Sequence, residues 1–186
     1  MVTKQRMTLE EYLALPEEKP YLEYVCGEVR PKQVAPSYEH SSLAAELAFL
    51  LKSYIRAGAG GSVMVEPRVR FESGPGTRAY VLDVAYWAPG RPIGDYRAMS
   101  PPTLAVEVRS PGQSPRHQRE RCRYFRSQGV PVCWLVDPET QAVELFEGGR
   151  DGETAGKEAT LTSQELPGFS LRLEDLFASL EHDQHD

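Results

Sequence analysis

Apolar positions along the chain switch between two spacings, and the switches mark out its elements. Thr8-Leu-Glu-Glu11 has the Ser/Thr-x-x-Glu spacing of a capping box, so a short helix starts there and runs to about Leu15, before Pro16 and Pro20. Tyr21-Leu-Glu-Tyr-Val25, Cys26-Gly27 and Glu28-Val-Arg30 read as a hairpin turned at Gly27. Ser37 is the N-cap of a helix predicted to about Ala57, in which Leu43, Leu47, Leu50, Leu51 and Tyr54 recur at helical spacing. His40 lies on the same stripe, one turn ahead of Leu43. Strands are predicted at about 63–71, with a bend at Pro67, at 80–87 and at 103–109, the last two separated by a Pro/Gly-rich loop.

A helix over about 114–128 and a strand over 132–136 follow, then an Asp137-Pro-Glu-Thr140 turn and a strand over 141–147. Residues 148–157 are polar and Gly-rich and read as a mobile tip; a strand near 159–162, a helix over 173–180 and a frayed tail at 182–186 close the chain. Helix, three strands, helix, strand over 37–137 predicts an α/β (α+β) fold in which helices flank a mixed sheet. The hairpin within 8–36 and the strands within 138–180 extend that sheet, giving one domain over 1–186.

Composition narrows the picture only slightly. The 186 residues suffice for one domain with a core, and no apolar run approaches the roughly 18 residues of a membrane span. The first residues lead straight into a capped helix without a signal-peptide apolar segment, so the cytoplasm is expected and a membrane is not. Three cysteines, Cys26, Cys122 and Cys133, are widely spaced with no C-x-x-C, which reads as reduced thiols. A net charge of −6 argues against general nucleic-acid affinity but leaves room for a local basic face.

The candidate chemistry lies between Tyr80 and Asp137. Tyr80-Val-Leu-Asp83-Val-Ala-Tyr-Trp87 and Leu104-Ala-Val-Glu107-Val-Arg109 are apolar runs, each with one acid at its centre. A carboxylate buried in a sheet needs a cation, a metal or several donors. Alternation puts Asp83 on a face with Val81 and Ala85, and Glu107 on a face with Ala105 and Arg109. Pairing would bring the two acids together on one divalent metal; the plainer reading is a buried salt bridge to arginine.

On the 114–128 helix, Arg116, Arg119, Arg123 and Arg126 fall within about an 80° arc, with Arg121 and His117 on another side. The stripe reads either as a solvated face or as a phosphate-tracking one. His40 reads as a packed histidine or a site residue. Glu23 and Glu28 flank the hairpin turn, where spacing alone makes them exposed carboxylates.

In order, these motifs are Tyr21-Leu-Glu23-Tyr-Val-Cys-Gly27-Glu28, His40, Leu82-Asp83-Val84, Glu107-Val-Arg-Ser110-Pro111 and Cys133-Trp134-Leu-Val-Asp137-Pro138. The ordered set resembles the PD-(D/E)xK restriction-endonuclease-like superfamily, and within it a widespread bacterial group assigned as endonucleases of unknown biological role. The resemblance implies hydrolysis of DNA phosphodiesters; with no separate recognition domain read in the sequence, weak sequence specificity is expected. Asp83, Glu107 and the Val108 carbonyl would hold Mg²⁺ or Mn²⁺, with His40 available for proton transfer. Glu23 and Glu28 match the hairpin motif as a possible additional site.

The motif lysine is replaced by Arg109, and its usual alternative position on the following helix by Arg121. Arginine positions a nucleophile but stays protonated. A second reading is therefore a nuclease fold that binds nucleic acid without turnover. A third is self-association through the aromatic strands near Trp87 and Trp134, as a homo-oligomer.

Overall fold

The structure, a computed structural model, describes residues 5–32, 37–72 and 76–180. The predicted tail at 182–186 lies outside them. β1 (Gln5–Arg6) is followed by α1 (Leu9–Leu13), whose capping box forms as expected: Thr8 accepts from the Glu11 amide, and Glu11 accepts from the Thr8 amide at 2.7 Å. β2 (Leu22–Val25) and β3 (Glu28–Pro31) make the hairpin. Its turn has positive φ at both Cys26 and Gly27, the backbone that matches strand twist.

α2 (Tyr38–Tyr54) starts at the Ser37 cap and buries Leu43, Leu47 and Leu51; it ends in a wider turn, Ile55–Ala59, where Gly58 leaves helical geometry. β4 (Ser62–Val65), β5 (Arg68–Phe71), β6 (Arg78–Val81) and β7 (Val84–Trp87) come next. Two short strands, β8 (Gly94–Asp95) and β9 (Ala98–Met99), interrupt the predicted loop. β10 (Leu104–Val108), α3 (Pro115–Ser127) and β11 (Val132–Asp137) form a parallel crossover. β12 (Ala142–Glu147), β13 (Arg150–Gly156), β14 (Thr160–Ser163), β15 (Leu166–Arg172) and α4 (Leu173–Ala178) complete the chain.

There are two main sheets rather than one. The central sheet has the order β13-β12-β11-β10-β7-β4, and the second has the order β1-β3-β2-β6-β5-β9-β8. The hairpin therefore extends the second sheet, through β2 on β6, and β12–β13 extends the central one. The predicted tip at 148–157 is largely strand β13, because its polar residues sit on an exposed sheet edge where alternation is weak.

Each long strand expected at 63–71 and 80–87 splits, handing its first half to one sheet and its second half to the other. The bend at Pro67 was expected. Its counterpart at Leu82-Asp83 was not: the Glu66 amide donates to the Asp83 carbonyl at 3.0 Å and the Leu82 amide to Pro67 at 3.1 Å, so the bends are paired. The alternation consequently changes phase. Tyr80 and Leu82 join the same apolar cluster as Ala85 and Trp87, which an unbroken strand forbids.

Apolar clusters cover both faces of the central sheet. Leu104, Val106, Val132 and Trp134 pack under α2 and α4, while Ala105, Cys133 and Leu135 pack under α3 with Cys122 and Phe125. Glu107 follows Ala105 on the α3 side. Trp87 and Trp134 are both interior, so they present no surface for self-association.

Candidate active site

The buried acids gather at the junction between the two sheets. Asp83, at the unexpected bend, is 2 % exposed, and Glu107, near the end of β10, is 4 % exposed. The Val108 amide donates to Asp83 Oδ2 at 2.7 Å, which latches Asp83 onto the backbone next to Glu107. The antiparallel register of β7 on β10, with Val84 opposite Val106, brings Asp83 up to Glu107 as pairing predicted, and the Val108 amide fixes it there.

Three further elements converge there. From α2, His40 Nε2 stands 3.1 Å from Asp83 Oδ2, while its Nδ1 is buried without a hydrogen-bond partner. From α3, Arg121 Nη1 donates to Glu23 Oε1 at 2.7 Å, its Nη2 to the Val81 carbonyl at 2.9 Å, and its Nε lies 3.1 Å from Glu107 Oε2. From the hairpin come Glu23, 3 % exposed, and Lys32, whose Nζ is 2.5 Å from Asp83 Oδ1. A small cavity brings Glu23, Lys32, Glu107, Gln118 and Arg121 to one surface.

Lys32 was not anticipated. It follows Pro31 in a stretch with no periodicity, and only the pairing of the hairpin with β6 carries it to Asp83. Gln118 was missed too; it lies on the buried side of α3 with its side-chain oxygen unpartnered.

Other expected positions fall elsewhere. β10 ends at Val108, so Arg109 leaves the face of Glu107 and pairs with Asp137 at 2.8 Å and with Glu139. Two acids and the strand end thus take it out of the site. Glu28 opens β3 opposite Val25 and is not among the residues lining this cavity.

The arginine stripe has the predicted arc, and three of its four arginines meet acids. Arg116 pairs with Glu120, Arg119 with Glu144 through two bonds at 2.6 and 2.7 Å, and Arg123 with Asp151 at 2.8 Å. Arg126 donates to the Val130 and Pro131 carbonyls. β12 and β13 supply two of these acids, so the stripe is spent mainly on holding α3 against the sheet.

The electrostatics set the two acids apart. Burial alone would raise Asp83, yet the Lys32 ammonium and His40 hold it well below the usual carboxylate range. Burial pushes Glu107 up to about 7, with the Asp83 and Glu23 charges adding and Arg121 and Lys32 opposing. Lys32 is pulled down by burial but raised overall by Asp83 and Glu107, so it is an ammonium at neutral pH. Glu107 Oε1 is buried with no hydrogen-bond partner.

Comparison with known proteins accords with this geometry. Residues 9–174 match a family described as "Uma2: Putative restriction endonuclease". The chain belongs to the Uma2 family. A solved structure described as a "putative nuclease belonging to DUF820" from Anabaena variabilis aligns with a TM-score of 0.79 at 24 % identity, covering 94 % of this chain and 99 % of that one. At that identity it shows the shared restriction-endonuclease-like fold of this Uma2 chain. No curated protein matches.

Proposed function

We propose that the chain hydrolyses phosphodiester bonds of DNA at the Asp83–Glu107 centre. The supporting observation is Glu107 itself: a buried carboxyl with one partnerless oxygen, on a cavity that also receives Lys32 and Arg121. An orphan anionic oxygen in the interior is expensive unless something binds it.

The residues fit a divalent cation. Glu107 Oε1 has no partner, and Asp83 Oδ1 faces only a flexible ammonium. Among the described residues no group of three or more Asp, Glu, His or Cys forms a closed metal cage. Two carboxylates with remaining positions left to water suit Mg²⁺ or Mn²⁺, which retain several waters. Such an ion would polarise the phosphate and acidify a bound water.

The chain's own groups supply the rest. Lys32, a lasting ammonium, donates to a phosphate oxygen or holds the attacking water; it fills the role left open by Arg109 and Arg121. Glu107 supplies the second carboxylate, and a bound cation would hold it ionised against the burial that otherwise raises it. Arg121 is fixed by Glu23, Val81 and Glu107, so its charge steadies the developing phosphorane without moving. His40 orients Asp83 from α2.

The test is incubation with plasmid and labelled oligonucleotides under Mg²⁺ or Mn²⁺. Cleavage by the wild type, lost in both Asp83→Asn and Glu107→Gln, is expected. Cleavage that survives both substitutions refutes the assignment. A second reading, DNA binding without turnover, is favoured by Lys32 and Arg121 already compensating the acids. Salt-sensitive binding with no cutting under either metal would select it.

A further inference from the structure

A second cavity opens beside the first and shares Arg30, His117 and Arg121 with it; its other wall is Arg78, Tyr80 and Tyr124. The Arg78 guanidinium lies 4.4 Å from the centre of the Tyr124 ring and donates to the Tyr80 hydroxyl at 3.3 Å. Arg121 stands 4.5 Å from the Tyr80 ring, and the two tyrosine rings are edge-to-face at 5.7 Å. The Tyr124 hydroxyl is buried with no hydrogen-bond partner.

The charges on this wall are not balanced. Among the described residues Arg78 is paired with no carboxylate, and Arg30 reaches only Glu23, at 4.0 Å, which Arg121 already holds at 2.7 Å. Glu120, the acid on the same wall, is engaged by Arg116 at 2.9 Å. The four-arginine stripe is engaged, whereas in this recess Arg78 has a hydroxyl and a ring beside it but no carboxylate among the described residues, and Arg30 has only a distant one, so both can take an anion. Guanidinium forks match phosphate oxygens, and aromatic faces stack on bases irrespective of sequence.

We propose that this recess is a nucleotide subsite. Arg78 and Arg30 take a backbone phosphate of the nucleic-acid strand next to the one at Glu107, and the partly exposed Tyr124, backed by the buried Tyr80, borders its base. The strand's further course rests on the nuclease reading, but the subsite is readable by binding alone. A local positive surface of this kind is compatible with a net charge of −6 on the chain.

The experiment is a fluorescence-anisotropy titration of labelled single-stranded and duplex DNA in EDTA, at several salt concentrations, with thermal melts confirming that each variant folds. Arg78→Gln is expected to weaken single-strand binding about fivefold or more and to reduce the salt slope by about 0.7, one phosphate contact. Arg78→Lys retains the slope while losing part of the affinity, because charge survives and the planar fork does not. Arg172→Gln removes the same charge from a remote exposed pair with Glu174 and is the control. Arg78→Gln behaving like Arg172→Gln overturns the subsite and leaves the cleavage assignment standing. No binding by the wild type in EDTA also overturns the subsite, while cleavage under Mg²⁺ or Mn²⁺ decides the nuclease reading separately.

Discussion

Asp83 and Glu107 are two buried carboxyls driven in opposite directions, and that difference has consequences for stability. Glu107 holds its proton in the folded chain up to about 7, whereas the ordinary value is 4.5. Its contribution is therefore complete below about pH 4.5 and is lost as pH rises towards 7, an effect of about 3 kcal/mol at most. Asp83 acts oppositely: held low by Lys32 and His40, it contributes above its ordinary value of 3.8 and loses that contribution in acid. Urea titrations from pH 5 to 7.5 should show wild-type stability declining, and Glu107→Gln should flatten the decline. An equal slope in both would refute the assignment to Glu107.

Lys32→Met should destabilise the fold by about 3 kcal/mol, because it leaves Asp83 buried beside only a histidine and an amide. In a double-mutant cycle, adding Asp83→Asn should restore much of that loss. Glu107 was legible because alternation is strict within β10. Lys32 was not, because a lone cation after a hairpin carries no periodic mark, and its importance arises from pairing between distant strands.

At the scale of elements, α3 shows a correct period leading to a mistaken partner. The arc of Arg116, Arg119, Arg123 and Arg126 follows from helix geometry. Their acids could not be read in advance, since Asp151 lies in a stretch that looked like a loop and is strand β13. Arg119→Ala should reduce stability by about 1 kcal/mol through loss of the bidentate Glu144 pair, discounted because Arg119 is partly exposed. It should leave DNA affinity nearly unchanged, as measured by the same anisotropy titration. Pro67 similarly announced one bend of the paired strands, but nothing in Leu82-Asp83-Val84 announced the other. That bend bounds β7 at Val84, and Asp83, at the next position of the register, accepts from the Val108 amide.

For the whole molecule, the fold class and the order of core elements were visible in the sequence, while the division into two sheets was not. That division is what builds the site: the second sheet carries Glu23, the hairpin ending in Lys32 extends from it, the central sheet brings Glu107, and the paired bends hold Asp83 between them. α2 and α3 then close over the junction with His40 and Arg121. No helix among the described residues is long and apolar enough to cross a membrane.

The most direct test of one shared cation centre is an Mn²⁺ titration followed by electron paramagnetic resonance, without DNA. The expected result is a single bound Mn²⁺ per chain, lost in Asp83→Asn and in Glu107→Gln but retained in Arg172→Gln. Absence of binding, or binding indifferent to both acid substitutions, would contradict it.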